Sequence, residues 1–214
     1  MDSVQEKHIL YSYWRSSCSY RVRIGLALKG VEYEYRAVSL LKGEQGEEEY
    51  TTHNPSQLLP ALITPDGATL GQSVAILEYL EEVYPDQNPL LPADPVARAL
   101  VRQAVGMIAS DIQPVQNLRV LKYYGMDKKL EWGSHWISVG FDALEAFLAK
   151  TAGEYCVGDQ ITMADLCLVP QVYNARRFKI DVENKYPTIF RIDAALTSLD
   201  AFVAAHPDQM PDAQ

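Results

Sequence analysis

The sequence predicts two architectures joined end to end: an α/β domain over residues 1–86 and an all-helical domain over residues 87–214. Three observations carry this prediction. Strand-like and helix-like patterns alternate as far as Val83. Four prolines (Pro85, Pro89, Pro92 and Pro95) then follow without periodicity, as in a linker. Beyond them apolar residues keep helical spacing and the strand signals cease.

The elements of the first part are short. Residues 8–13 form an apolar and aromatic run with the length of a buried strand. Residues 17–29 read as a helix stopped at Gly30, since glycine takes the left-handed conformation after a helix end without steric cost. Over residues 32–38, Tyr33, Tyr35 and Ala37 alternate with charged side chains, the pattern of a half-buried strand. Residues 61–64 and 68–70 flank Pro65, Asp66 and Gly67 as the arms of a hairpin. Ser73 opens a helix with Ile76, Leu77, Leu80 and Val83 on one face, ended by Pro85.

The second part begins with Asp94, placed to cap a helix whose first position is Pro95. Ala97, Leu100, Val101, Ala104, Val105 and Ile108 form its apolar face. A long helix covers residues 130–150, with Ile137, Gly140, Phe141, Leu144 and Leu148 on one stripe. A third helix starts at Thr162. Thr162 and Asp165 make a capping box, in which each side chain reaches the other's backbone N–H, and Ile161 and Leu166 stand at the staple positions. Residues 166–173 are apolar nearly all round, so this helix is expected at the buried centre of the second domain.

Composition narrows the function. With 48% hydrophobic and 22% charged residues the chain can bury a core. No apolar run reaches the ~18–20 residues that span a bilayer, and the polar stretch from Met1 to Lys7 lacks the apolar core of a secretory signal. Neither membrane nor nucleic acid is an expected partner. A net charge of −9 opposes binding to phosphates. Cys18, Cys156 and Cys167 cannot all pair, which favours free thiols in a reducing compartment, the cytoplasm first and the mitochondrion second.

Ser16, Ser17 and Cys18 fall where the first strand turns into the first helix. Hydroxyls there either cap the helix or donate to an anion held by its unsatisfied N–H groups and dipole. A cysteine in the first turn favours the second use, because a helix N-terminus favours thiolate. Arg15 and Arg21 stand where a redox Cys-x-x-Cys pair would need a second cysteine, so disulfide exchange is not expected. Leu59-Pro60 precedes a strand; a cis bond there presents the Leu59 backbone to an extended, peptide-like ligand. Gln72-Ser73 opens a helix directly after the hairpin, either as a plain cap or as a carboxylate-binding helix start.

The run Ser16-Ser17-Cys18-Ser19-Tyr20-Arg21-Val22-Arg23-Ile24 resembles the signature of zeta-class glutathione transferases. Asn54-Pro55 with Pro60 resembles that family's cis-proline segment, and Gln72-Ser73 its γ-glutamyl-binding pair. The segments around Ile112-Gln113-Pro114 and Gln116-Asn117-Leu118, and from Tyr155 to Gln171, resemble its C-terminal blocks. Leu58 departs from the pattern, standing where the family often has Gln, and Leu118-Arg119 follows Asn117 where relatives carry a small hydroxyl residue.

The resemblance implies a glutathione transferase fold: a thioredoxin-like N-terminal domain, then an all-α domain forming the second-substrate site, paired as a homodimer. It implies that Ser16 and Ser17 hold the glutathione sulfur with Cys18 beside it. The Leu59 backbone would pair with the tripeptide, and Gln72 and Ser73 would hold its γ-glutamyl end. Gln45, Gln113 and Asn117 are further cofactor contacts by the same argument. Arg21 and Arg177 are candidates to bind a small dicarboxylate substrate, since an acidic chain needs local cations for it. The implied activity is glutathione-dependent cis–trans isomerisation of the maleylacetoacetate type, in phenylalanine and tyrosine catabolism. Two alternatives are conjugation or dehalogenation of small electrophiles such as α-haloacids, and a non-catalytic interaction module.

Overall fold

The computed structural model describes residues 7–214, so the polar start read from Met1 lies outside it as far as residue 6. The described chain forms two compact units. The first runs to Asn88 and takes back Asp200–Gln214; the second is Pro89–Leu199. The sequence reading assigned the last fifteen positions to the helical part; the structure groups them with the first unit.

In the first unit, β1 (His8–Ser12), α1 (Ser17–Leu28), β2 (Tyr33–Ala37), the single turn α2 (Glu48–Thr51), β3 (Ala61–Ile63), β4 (Thr69–Gly71) and α3 (Ser73–Val83) follow in order. The sheet order is β2-β1-β3-β4. β1 runs parallel to β2, with Leu10 opposite Tyr35, and antiparallel to β3, with Leu10 opposite Leu62. Every residue of the central β1 is buried. Ile9 and Tyr11 join Ala61 and Ile63 in one apolar cluster, against which Met210 and Ala213 pack; Leu10 and Leu62 alternate to the other face. The hairpin turns through Gly67 at φ +87°, a conformation glycine adopts at least cost.

The second unit contains α4 (Pro95–Gly106), α5 (Leu118–Tyr124), α6 (Lys129–Thr151), α7 (Met163–Arg177), α8 (Val182–Lys185) and α9 (Pro187–Thr197). The turn α10 (Asp200–Ala204) already belongs to the first unit. Asp94 caps α4 by accepting from Ala97 N–H at 2.7 Å, with Pro95 at the first position. Helix α7 is buried from Met163 through Val172, and each fully buried Leu or Met side chain there stabilises by roughly 1.5–3 kcal/mol. The capping box at Thr162 and Asp165 is present. Between α4 and α5 the chain makes a π-helical turn, Met107–Ile112. A Cβ on Gly140 of α6 would stand 2.3 Å from Ile112 Cγ1, so only glycine allows this approach.

Candidate active site

The site is built first from the α1 start. Ser16 is the N-cap, with extended backbone, and its Oγ accepts from Ser19 N–H at 3.2 Å. A hydroxyl has one hydrogen and two lone pairs, so the Ser16 hydrogen remains for a second partner. Ser17 is buried, Ser16 and Cys18 are half-buried, and no acidic residue occupies the first turn. The dipole at this end is therefore not neutralised by the helix's own side chains.

Arg21, one turn along α1, is 1% exposed and donates from Nη1 to Ser73 Oγ at 3.2 Å. Its Nε and Nη2 are buried with no hydrogen-bond partner among the described residues. The structure thus joins two residues that the sequence considered separately, the first-helix arginine and the α3 start. Gln72, the residue before α3, has φ +65° and ψ 114° and makes no capping bond. Such a left-handed glutamine is strained by of order 1–3 kcal/mol, and strain of this kind collects at functional positions.

The Leu59–Pro60 bond is cis and Leu59 is buried. The preceding carbonyl, Leu58 O, accepts from Asn54 Nδ2 at 2.7 Å and from Tyr50 Oη. Burial pushes the Tyr50 phenol up to about 12, so it stays protonated and donates. Sequence reasoning named Asn54 only within a motif and missed Tyr50. No pattern in the sequence marked Tyr50, because α2 is a single turn that ends before Asn54. Gln45 lies in the turn Glu44–Gly46, with its Oε1 buried and unpartnered among the described residues.

The second unit places the remaining candidates. Gln113 follows the π-helical turn and donates its N–H to Ile108 O at 2.9 Å. Asn117 caps α5, its Oδ1 accepting from Arg119 N–H at 3.0 Å. Arg177 is exposed in the last turn of α7, reaches Asn174 Oδ1 at 3.2 Å and lies over the Tyr173 ring. Its neighbour Arg176 instead pairs with the buried Asp193 at 2.7 Å. Among the described residues no group of His, Cys, Asp and Glu side chains could hold a metal ion.

The glutathione S-transferase N-terminal domain model matches residues 15–83 and the C-terminal domain model residues 115–203. Maleylacetoacetate isomerase of Rattus norvegicus is 55% identical, over 96% of this chain and 95% of its own length. A bacterial maleyl pyruvate isomerase, described as a zeta-class glutathione S-transferase, superposes with TM-score 0.92 at 46% identity, covering 96% of this chain and all of its own. Maleylacetoacetate isomerase of Anaeromyxobacter dehalogenans, solved with dicarboxyethyl glutathione and citrate bound, gives TM-score 0.88 at 47% identity, over 97% of this chain and 98% of its own. The chain belongs to the glutathione S-transferase family, in its zeta class with the maleylacetoacetate isomerases.

Proposed function

We propose that the protein is a glutathione-dependent cis–trans isomerase of a maleylacetoacetate-type dicarboxylate, serving phenylalanine and tyrosine breakdown as a cytoplasmic homodimer. One observation carries the reading: the α1 start offers a hydroxyl hydrogen and open N–H groups and brings no carboxylate of its own. The residues fit glutathione. The orphaned Gln45 Oε1 and the unpartnered nitrogens of Arg21 suit a polar, anionic tripeptide. Glutathione supplies, when bound, a thiolate that adds reversibly to a conjugated C=C and so permits rotation, without being consumed.

The chain's own residues have four tasks. Ser16 donates to the sulfur and lowers the cost of its charge, with Ser17 supporting from the helix start. Ser73, held by Arg21, binds the γ-glutamyl end together with Gln72. The Leu59 backbone, with Leu58 O turned toward Asn54 and Tyr50, pairs with the tripeptide. Gln113 and Asn117 add contacts, and Arg177 anchors a substrate carboxylate. The dicarboxyethyl glutathione and citrate in the Anaeromyxobacter relative support an anion-binding second site.

The deciding experiment compares maleylacetoacetate isomerisation with conjugation of a general electrophile, with and without glutathione. We expect isomerisation to require glutathione and to leave its concentration unchanged. Stoichiometric loss of glutathione during turnover of the dicarboxylate would promote the second reading, a transferase. That reading uses the same serines and is supported by the name of a relative from Arabidopsis thaliana, glutathione S-transferase Z1, 45% identical over 99% of this chain.

A further inference from the structure

The loop that carries Ser16 is gripped by two side chains that the reading above does not use. Trp14, two residues earlier, is buried, and both polar groups of its backbone are engaged. Its N–H donates to Asp212 Oδ2 at 3.1 Å, and its carbonyl accepts from Arg23 Nη2 at 3.1 Å. Arg23, fully buried on α1, also donates to Ser12 Oγ at 3.2 Å, Tyr13 O at 3.5 Å and Ala205 O at 3.0 Å. Tyr13 O in turn accepts from Ser16 N–H at 2.9 Å. The other oxygen of Asp212 accepts from Tyr35 Oη at 2.6 Å. Burial and the neighbouring Asp212 raise the Tyr35 phenol, so its hydrogen stays available for that bond.

One guanidinium and one carboxylate, the latter 198 positions from Trp14, thus fix consecutive groups from Ser12 to Trp14, and Tyr13 O passes the hold on to Ser16 N–H. Burying the Arg23 charge is costly unless hydrogen bonds compensate, and Asp212 is half-buried. Anchoring the segment 200–214 does not require the Trp14 bond. Tyr20 Oη on Phe202 O, Arg23 Nε on Ala205 O and the packing of Phe202 and Met210 already tie that segment down. What the Trp14 bond adds is a fixed peptide two residues before the N-cap serine.

We propose that Asp212 and Arg23 are positioning residues for the thiol-activating hydroxyl: by holding the Trp14 peptide they set the aim of Ser16 Oγ, which makes the C-terminal segment part of the catalytic apparatus. The proposal rests on the reading of Ser16 as a sulfur donor. A catalytic donor must be held to within about 0.5 Å, and a misplacement of about 1 Å can cost on the order of 10²-fold in rate.

Three variants test it: Asp212→Ala, Asp212→Asn and Tyr35→Phe. Each is read by ultraviolet titration of the bound glutathione thiol, by kcat against KM, and by hydrogen exchange of the residue 14 and 16 amides in the ligand-free protein. Asp212→Ala should raise the thiol pKa and lower kcat by roughly 10-fold to 10²-fold with little change in the glutathione KM. It should also speed exchange at residues 14 and 16 relative to β3. Asp212→Asn should restore most of the loss, since its oxygen accepts from Trp14 N–H and its amide donates to Tyr35 Oη. Tyr35→Phe frees one oxygen of the carboxylate and should give a smaller shift in the same direction. It decides the matter alone if Asp212→Ala does not fold.

An unchanged thiol pKa and kcat in Asp212→Ala, or in Tyr35→Phe where it stands alone, overturns the proposal whatever happens to Tm. So does an Asn variant as impaired as the Ala variant, because charge and not the hydrogen bond would then matter. A native protein that leaves the thiol at its free value overturns the reading of Ser16, and this proposal with it.

Discussion

At the start of α7 the Asp165 carboxylate accepts from Thr162 N–H at 2.7 Å, from Thr162 Oγ1 at 2.9 Å and from Cys156 N–H at 2.9 Å, all buried. At the start of α1 Ser16 Oγ accepts from Ser19 N–H at 3.2 Å, in a half-buried position with no acidic residue in the turn. Both are serine- or threonine-capped helix starts in sequence. The first is filled by its own carboxylate and is finished as a structural device. The second brings no acidic residue of its own, and in the proposed reading its positive end receives the glutathione sulfur. What separates a structural cap from a functional one is whether the helix brings its own negative charge.

The largest effect should come from emptying the filled start. Asp165→Ala strands three buried donors, and at about 1–3 kcal/mol each the loss is about 3 kcal/mol or more. Denaturant unfolding should show it, while folded Asp165→Ala should bind glutathione with an unshifted thiol pKa. A shifted thiol would mean that the two starts are coupled and that the contrast is false.

Removing the donor at the open start should do the reverse. Ser16→Ala should cost ~10²–10³ in kcat and raise the pKa of the bound thiol, with about 1 kcal/mol of stability from the lost cap. An unchanged thiol titration moves the donor role to Ser17.

The pH range for such titrations is bounded by His8. Its Nε2 is buried without a hydrogen-bond partner among the described residues, and desolvation lowers its pKa despite the opposing pull of Asp66. A depressed histidine pKa means that the unfolded chain binds the proton more readily. The stability contributed by neutral His8 is thus present above the unfolded value of about 6.5 and is lost as pH falls below it toward the folded value. Chemical denaturation at pH 7 and pH 5 should show the decline, and His8→Phe should flatten it.

At the other end of α7 two adjacent arginines have different partners. Arg176 pairs with the buried Asp193 carboxylate at 2.7 Å, while Arg177 meets the neutral Asn174 Oδ1 at 3.2 Å and the Tyr173 ring. Guanidinium grips carboxylate with two parallel donors, which lysine cannot reproduce. Arg177→Lys should therefore raise the dicarboxylate KM by about 10-fold, or about 1.4 kcal/mol, and leave a neutral electrophile within about twofold. Equal losses for both substrates would place Arg177 with Arg176 as a structural residue.

Much of this contrast was legible in the sequence, because local signals specify helix starts. Asp94-Pro95, Thr162 with Asp165, and Ser16-Ser17 all appear where capping rules put them. Short elements were not legible: α2 and α8, four residues each, offer no periodicity to read. Nor was the grip on Trp14. Arg23 stood inside a recognised motif, but Asp212 is an isolated acidic residue near the chain end with no pattern around it, and only folding brings it to Trp14. Arg21 was placed on the right helix, yet its bond to Ser73 Oγ depends on how α1 packs on α3, which spacing alone does not encode.

The smallest effect concerns the cysteine that sits at each of the two starts. Cys156 lends its N–H to Asp165 and is 1% exposed. Burial, followed by the Asp165 charge, pushes its thiol well up, so it is protonated and shielded. Cys18 lies in the first turn of the open start and is half-buried. An alkylating reagent needs a reachable sulfur, so iodoacetamide should modify Cys18 in the native protein and spare Cys156 and Cys167. Saturating glutathione should protect Cys18, because the cofactor sulfur is read to lie beside it. Yet glutathione supplies the reacting sulfur, and Cys18 has no bond to make or break. Cys18→Ala should therefore keep isomerase activity within about tenfold of native, an upper bound of about 1.4 kcal/mol on its part in the transition state. Complete loss of turnover in a folded Cys18→Ala that still binds glutathione would make the open start a place for two sulfurs acting together, and the division of labour drawn between Ser16 and Cys18 would have to be reversed.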